Sequence, residues 1–305
     1  MKDVFHVTAL SHPSDGNTLM KVCTQLRRGS MKSKPTATHQ FIKRLSTSGR
    51  LVRNYSQNID LLEDRVGLCA DLSEFTVSQV AAAECVLLHG SLRYLRCVTC
   101  GQRSNWDEYE AITMSGTLPT CPHCRRKSSR GRTLAPGVLR PDIVLYGESD
   151  PRSTLISHLI RYDLHLDVDL LLILGTSLAT YGVRKLVKDF RRTVQKCNGI
   201  IVYVNRTEPE GALRGLIDYW VKWDCDEWVR DLTRRPEFRA GMDNSYQEGK
   251  PTGKRRASIL EQVPKRVKAF QVRSDSSSQY QNMGSMWSLA AGTQDDPIDL
   301  TDDRD

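Results

Sequence analysis

The first 235 residues alternate between short apolar runs and segments whose apolar positions have helical spacing. Apolar runs at 49–55, 85–88, 169–174 and 199–204 predict strands, and a helix is expected over 38–45. The run 169–174 is continuous, which is typical of a strand covered on both faces. Strand, helix and strand in this rhythm predict an α/β fold, Rossmann-like, with a doubly wound parallel sheet.

This pattern ends near residue 236. The segments that follow are rich in Gly, Ser, Gln and Asn and show no apolar period. Such a composition buries too little apolar surface to offset the entropy of ordering, so we expect a disordered tail over 236–305. The whole chain has a net charge of +8, and the tail contains ten basic and eleven acidic side chains, so the first 235 residues carry +9.

Two charged segments of the tail suggest partners. The basic cluster at 254–256 and 265–268 is spaced like a bipartite nuclear import signal. Its alternative is a solvated cluster, or one that contacts nucleic acid without sequence preference. In the acidic end, Ile298, Asp299 and Leu300 resemble a SUMO-interacting motif, which adds a strand to its partner's sheet. A solubilising acidic terminus explains these residues equally well.

The composition excludes several classes of protein. The chain has 305 residues, of which 39% are hydrophobic and 26% charged, as in ordinary folded proteins. No apolar run approaches the roughly 18 residues of a membrane span, and the first residues lack the pattern of a secretory signal. Nine cysteines, four of them in two Cys-x-x-Cys pairs, favour metal binding over a disulfide framework in a reducing compartment.

The two cysteine pairs predict a zinc site. Cys97 and Cys100 form the first pair, and Cys121 and Cys124 the second, with twenty residues between the pairs. Four thiolates complete a tetrahedral site and leave no position open for water, so the zinc is expected to be structural. Buried cysteines without metal, or a redox-active pair, are the alternatives, although a redox pair does not explain why there are two pairs.

Polar residues at the ends of the predicted strands are candidates for ligand binding, because ligands of open α/β sheets bind at the carboxyl ends of the strands. A histidine there suits a general base near neutral pH, and a Gly-Thr-Ser loop suits phosphate or ribose. Each has an ordinary alternative: a turn, a packed histidine or a helix N-cap. The candidate ligand-binding residues at the strand ends are Gln57, Asn58, Asp60, His89, Gly175, Thr176, Ser177 and Asn205.

Taken together and in chain order, these segments resemble the sirtuin family of NAD-dependent protein deacylases. The resemblance runs from about residue 35 to 232. The fungal nuclear branch of the family, which acts on core histones, is most similar in two segments, KPTATHQFIKRL and GTSLATYGVRKLVKDF. The matching segments are YSQNID (55–60), LLHGSL (87–92), GVLRPDIVLYGE (137–148), LLLILGTSL (170–178), IVYVN (201–205) and WDCDEWV (223–229), with the two cysteine pairs.

The resemblance implies a catalytic domain over 1–235, with a zinc module of about 91–135 inserted, that uses NAD and Zn²⁺. His89 would activate a ribose hydroxyl as general base, after the acetyl-lysine oxygen has attacked the ribose and expelled nicotinamide. Asn58 would also be catalytic, and the acetyl group would end on ADP-ribose. The implied cofactor-binding residues are Gln57, Asn58, Ile59, Asp60, Gly175, Thr176, Ser177, Asn205 and Cys225, and those beside the acyl-lysine peptide are Ile143, Val144, Tyr146, Gly147 and Glu148.

One family segment has no counterpart in this sequence. The family opens with a strand and a Gly-Ala-Gly-x-Ser loop that holds the pyrophosphate of NAD, whereas the first glycine here, Gly16, follows no apolar strand. We therefore expect an N-terminally incomplete domain with an exposed interior sheet edge. The leading hypothesis is a nuclear NAD-dependent histone deacetylase acting on acetylated chromatin proteins. The alternatives are a catalytically impaired, zinc-stapled chromatin-binding scaffold and an ADP-ribosyltransferase.

Overall fold

Three small sheets form the framework of the computed structural model, which describes residues 2–68, 70, 72, 83–124 and 136–243. Strands β1 and β2 form one parallel sheet, β6, β7 and β8 form another, and β4, β3 and β5 form an antiparallel sheet in that order. The strands are β1 Asn54–Ser56, β2 Cys85–Leu87, β3 Gly90–Cys97, β4 Arg103–Asn105, β5 Leu139–Ile143, β6 Leu170–Leu174, β7 Ile200–Val204 and β8 Tyr219–Val221.

Amphipathic helices cover the parallel strands. Helix α6, which crosses from β6 to β7, buries Val183, Leu186, Val187 and Phe190 and turns its charged face to solvent. The predicted α/β class and strand–helix–strand rhythm are therefore confirmed. The helices are α1 Pro13–Lys32, α2 Ala37–Thr47, α3 Leu62–Arg65, α4 Glu110–Met114, α5 Ser153–Leu164, α6 Tyr181–Lys196, α7 Gly211–Arg214, α8 Cys225–Arg234 and α9 Pro236–Asp243, with short 3-10 helices at Lys2–Phe5 and Val7–Ser11 before α1.

The parallel strands lie in two sheets rather than in the single sheet that the sequence suggested. Within the described residues, β7 is the only strand that pairs with β6. The prediction that 169–174 is covered on both faces is wrong, because Leu170 is 43% exposed and Ile173 is the one fully buried side chain of β6. A strand that pairs along one edge leaves its other edge and the side chains beside it open to solvent.

Among the described residues there are three hydrophobic clusters, and the two largest correspond to the two kinds of sheet. The first surrounds α5, α6 and the strands β6 and β7, and includes Leu159, Ile201 and Tyr203. The second packs α1 against the antiparallel sheet and includes Met20 and Trp106, neither of which is exposed. The second core also contains Cys97 and Cys121 of the cysteine module, so the module and α1 form one packed unit.

The element boundaries differ from the sequence predictions in two places. The run 49–55 forms a strand only at Asn54–Ser56, because Gly49 adopts φ +68° and turns the chain after α2. The ordered chain also continues beyond residue 235 as α9, where Phe238 packs against Phe41 with ring centroids 5.8 Å apart. The remainder of the predicted tail, 244–305, lies outside the described residues, as do 125–135 of the zinc module.

Among the described helices, we find none that combines the length and the apolar character needed to cross a membrane.

A buried ion pair connects β1 to α5. Arg53, which precedes β1, donates from Nε and Nη2 to the two carboxylate oxygens of Asp163 at 2.8 Å each, and Tyr55 Oη donates to Asp163 at 2.7 Å. The side chains of Arg53 and Asp163 are 2% and 0% exposed. Burial, followed by the charge of Asp163, raises the pKa of Tyr55, so its hydroxyl remains a donor at neutral pH.

We expect Asp163→Ala to lower the free energy of unfolding by about 3–5 kcal/mol, because it leaves the buried Arg53 guanidinium without its partner. Denaturant unfolding of the full chain measures this change. Asp189→Ala is the matched control, since Asp189 forms a 4.0 Å pair with the exposed Arg192 and should cost less than about 0.5 kcal/mol. Equal losses in both variants would show that the Asp163 pair does not hold β1 to α5.

Candidate active site and metal centre

His89 lies in the two-residue turn between β2 and β3, beside the end of β1. Its Nδ1 is 3.1 Å from the backbone oxygen of Gln57, an atom that can only accept a hydrogen bond. Nδ1 therefore carries the ring proton, and Nε2 has the lone pair through which the neutral ring can take up a proton. Gly90 adopts φ +75°, and a Cβ there would collide with the backbone of Asp142 and Ile143. The turn that positions His89 thus requires glycine.

The segment after β1 is folded back and held by a buried carboxylate. Asn58 Nδ2 lies 3.4 Å from Oε1 of Glu63, and Asp60 Oδ1 accepts a hydrogen bond from the backbone N–H of Leu62 at 3.1 Å. Ile59 is 6% exposed and packs into the second core. Asn58 is exposed and Asp60 partly exposed, so their polar groups can face a ligand, whereas Ile59 anchors the segment.

The Gly-Thr-Ser segment forms a loop at the carboxyl end of β6. Gly175 adopts φ +63°, which favours glycine, and both Gly175 and Ser177 are exposed. Helix α6 does not begin until Tyr181, and its N-cap is Thr180. Neither Thr176 nor Ser177 is a helix cap, which excludes the ordinary explanation for these hydroxyls.

Asn205 and Cys225 lie on either side of this loop. Asn205 Nδ2 donates to the backbone oxygen of Thr176 at 3.2 Å, and Cys225 Sγ lies 3.4 Å from the backbone oxygen of Val204. Burial, and then the charge of Asp224, raises the pKa of Cys225 to about 11. The thiol is therefore protonated at neutral pH and is not a nucleophile there.

A hydrogen bond across the two parallel sheets joins these segments. Gln57 Nε2 donates to Thr176 Oγ1 at 2.7 Å, and the oxygen of Gln57 faces His89. The ends of β1, β2 and β6 therefore meet at one edge, although β1 and β6 do not share a ladder. The structure brings together the sequence candidates Gln57, His89, Thr176 and Asn205 in a single chain of contacts, with Asn58 next to Gln57 in the sequence.

The loop at 143–148 presents only part of its length to a peptide. Ile143 is 2% exposed. The N–H and C=O of Tyr146 pair with the backbone of Phe5 and Val7, each at 2.8 Å. Glu148 turns inward and accepts from Arg140 Nη2 at 2.6 Å.

The neighbouring positions of the same loop are more open. Val144 is partly exposed, and its N–H is bound by the backbone oxygen of His89 at 3.0 Å. Gly147 is exposed. An extended peptide would therefore meet Gly147 and the side chain of Val144 rather than the main chain of Tyr146.

The four predicted metal ligands form one cluster. Their sulphur atoms all lie within 4.8 Å of one another, with Cys97 and Cys124 at 3.5 Å and Cys100 and Cys121 at 3.7 Å. Zinc bound to four thiolates at about 2.3 Å places them about 3.8 Å apart. The backbone N–H groups of Thr99 and Cys100 donate to Cys97 Sγ at 3.3 and 3.4 Å, which stabilises a thiolate at that position. The cluster therefore fits a structural zinc ion.

Sequence reasoning missed two residues of this site. Tyr203 Oη donates to the backbone oxygen of Thr176 at 2.8 Å, and Glu63 contacts Asn58. Tyr203 lies inside an apolar run, so the sequence pattern predicts a core side chain there. Glu63 lies in a short charged helix, so the pattern predicts a surface side chain. The one available signal was the polar atom of Tyr203 within an otherwise apolar strand, since a buried hydroxyl needs a partner.

The chain is similar to known NAD-dependent deacetylases. The Sir2 family model matches residues 11–182. The chain is 36% identical to the NAD-dependent histone deacetylase HST3 of Candida albicans over 251 residues, 76% of this chain and 50% of that protein. It is 34% identical to HST3 of Saccharomyces cerevisiae, over 79% of this chain and 58% of that protein. The chain thus spans between half and three fifths of these relatives.

Solved structures agree in fold. A Sir2 homologue in complex with NAD superposes with a TM-score of 0.59 at 23% identity, covering 79% of this chain and 78% of that one. A complex of Sir2 with a p53 peptide and NAD superposes with a TM-score of 0.54 at 22% identity, covering 76% of this chain and 82% of that one. The family model, which covers more than half of the chain, and the shared fold lead to the same result: this chain belongs to the Sir2 family, the sirtuins.

Proposed function

We propose that this chain is an NAD-dependent protein-lysine deacetylase that acts on acetylated histones in the nucleus. The observation that carries the proposal is the contact of His89 with the Gln57 backbone, at the place where Gln57 also binds Thr176. One histidine with a fixed tautomer, two amide side chains and a Gly-Thr-Ser loop meet at the carboxyl ends of parallel strands, where α/β proteins bind nucleotides.

The residues of this edge divide between cofactor binding and proton transfer. Thr176, Ser177 and Asn205 would hold the ribose and phosphate oxygens of NAD, while Asn58 and Asp60 would face its nicotinamide. Bound NAD supplies the ribose carbon that accepts the acyl oxygen as nicotinamide leaves. His89 Nε2 would then take the proton of a ribose hydroxyl, which Nδ1 supports by donating to the Gln57 carbonyl.

The acyl-lysine peptide would enter beside Val144 and Gly147 as an added strand. Glu148 supports this loop from within, because its carboxylate binds Arg140 and the N–H of Leu145 at 2.8 Å. Zinc would take no part in the chemistry. Its role would be to fix the module whose strand β3 begins at Gly90, next to His89.

Two observations support histones as the substrate and the nucleus as the location: the names of the similar proteins and the charge of the chain. The similar fungal proteins are named histone deacetylases, and the first 235 residues carry +9, which suits an enzyme working near nucleic acid. The import signal at 254–268 and the SUMO-interacting segment at Ile298–Leu300 lie outside the described residues and remain proposals from sequence.

The proposal is tested by incubating the full, zinc-loaded chain with an acetylated histone peptide, with and without NAD. We expect loss of the acetyl group only with NAD, and mass spectrometry should find acetyl-ADP-ribose in equimolar amount. Soluble protein that binds the peptide equally with and without NAD, and releases no acetyl group, would contradict the proposal and favour the scaffold. ADP-ribose attached to the peptide or protein would instead identify an ADP-ribosyltransferase.

A further inference from the structure

Helix α6 has a large surplus of positive charge on its solvent side. The helix contains six basic side chains and one acidic side chain, Asp189. No other described helix has a larger net positive charge. The apolar side chains of Val183, Leu186, Val187 and Phe190 pack into the first core, so the charged residues lie on the opposite face.

Four of the basic residues form a row along this face. Lys185, Lys188, Arg192 and Lys196 follow one another at intervals of three, four and four residues, which a helix of 3.6 residues per turn brings to one side. Lys188 and Lys196 are exposed, and the side chain of Arg192 is 81% exposed. At 1.5 Å per residue the row is about 16 Å long. We call these four residues the α6 basic face.

The protein itself leaves the α6 basic face largely unneutralised. Asp189, the one acidic residue of the helix, lies 4.0 Å from Arg192. Within the described part of the chain, Lys188 and Lys196 form no ion pair. Like charges four residues apart repel each other and destabilise a helix. An anionic partner that lies along the helix would relieve this repulsion.

The other two basic residues of α6 have partners within the protein. Arg191 Nη1 donates to Asp218 at 2.9 Å and to the backbone oxygen of Leu216 at 2.7 Å. Arg184 lies 3.5 Å from Glu210. These two arginines hold the chain between β7 and β8 against the helix. They are therefore not counted as part of the surface offered to a partner.

The chemistry of the α6 basic face fits phosphate groups better than it fits a protein. The exposed side of the helix from 185 to 196 contains only charged and polar side chains, whereas specific protein interfaces have an apolar or aromatic centre. A single-stranded nucleic acid would use aromatic side chains for stacking, and this row has none. A duplex presents about one phosphate per 3.4 Å of axis on each strand, so a row of this length faces several phosphates at once.

We propose that the α6 basic face binds the phosphate backbone of double-stranded DNA. Lysine and arginine contacts to phosphates do not read the bases, so the binding is expected to be independent of sequence. The choice of DNA over duplex RNA rests on the proposed histone substrate, which is packaged with DNA. DNA binding is measured without NAD or acetylated peptide. It can therefore fail while the deacetylase proposal stands, and the deacetylase proposal can fail while DNA binding stands.

The test is the binding of the full, zinc-loaded chain to a fluorescent DNA duplex, followed by anisotropy at several salt concentrations. Replacing both exposed lysines, Lys188→Gln with Lys196→Gln, should lower the affinity about tenfold and reduce the slope of log affinity against log salt by about 2, one for each lost phosphate contact. Asp189→Asn removes the one acidic residue of the helix and should strengthen binding. The matched control is Lys21→Gln with Lys32→Gln, which removes the same charge from exposed positions of α1 and should leave the slope unchanged.

Three results would overturn the proposal. One is a wild-type chain that binds no duplex. Another is an equal loss, or no loss, in both double variants, because binding would then follow net charge or lie elsewhere. The third is tighter binding of polyglutamate or of a single strand than of the duplex, which would identify an acidic protein or a single-stranded nucleic acid as the partner. The basic cluster at 254–268 is present in every variant and cannot cause a difference between them.

Discussion

His89→Ala is expected to lower the rate of NAD-dependent deacetylation by about 10²–10⁴-fold, the usual contribution of a positioned general base. The reason lies in the hydrogen bond from Nδ1 to the Gln57 carbonyl, which leaves Nε2 as the nitrogen that accepts a proton. Alanine removes this nitrogen and leaves the backbone of the turn intact, because Gly90 sets the chain direction there. The measurement is kcat with an acetylated histone peptide at saturating NAD.

The same variant separates two steps of the reaction. Nicotinamide leaves before the proton transfer assigned to His89, so exchange of labelled nicotinamide into NAD should fall much less than deacetylation. His158→Ala is the control, because His158 is exposed on α5 and belongs to none of the segments placed at the site. Deacetylation that survives His89→Ala at the wild-type rate would remove His89 from the mechanism, while equal loss of both reactions would assign it to NAD binding instead.

The site residues that the sequence predicts are those that belong to a short local motif. Cys97, Cys100, Cys121 and Cys124 repeat one spacing, and His89 precedes a glycine at the end of an apolar run. Such patterns are short and need no knowledge of distant packing. The structure gathers the four sulphurs and brings His89 to Gln57, which is 32 residues away in the chain.

What the sequence did not predict depends on long-range packing. In helix α9, Phe238 packs against Phe41, which is nearly two hundred residues away in the chain. The tail has no apolar periodicity that would predict this contact. Glu63 is buried against Ser56 and Asn58 although it lies in the charged segment LEDR. The parallel strands lie in two sheets because of which strands pair with each other. An apolar run predicts that a segment is a strand, but it does not predict which strand lies beside it.

Removing one zinc ligand is expected to have the second large effect. Cys97→Ser should reduce the zinc content from one ion per chain to well below one and destabilise the module strongly, because apparent binding free energies of structural zinc are about 10–16 kcal/mol. Cys97 and Cys121 are each 1% exposed and belong to the same core as Met20 and Trp106. Loss of the ion would therefore loosen α1 as well as the antiparallel sheet.

Elemental analysis of the purified chain measures bound zinc, and thermal melting with and without a chelator measures its contribution to stability. Cys197→Ser is the matched control, because Cys197 is buried at the end of α6 and contacts Asp167 rather than a metal ligand. It should retain one zinc ion and its sensitivity to chelator. A Cys97→Ser chain that still holds one zinc ion and melts like the wild type would mean that the four sulphurs are not the ligand set. Strand β3 begins at Gly90, next to His89, and ends at the zinc ligand Cys97. Loss of zinc should therefore disturb the position of His89. We expect a chelator to lower both the rate of deacetylation and the melting temperature.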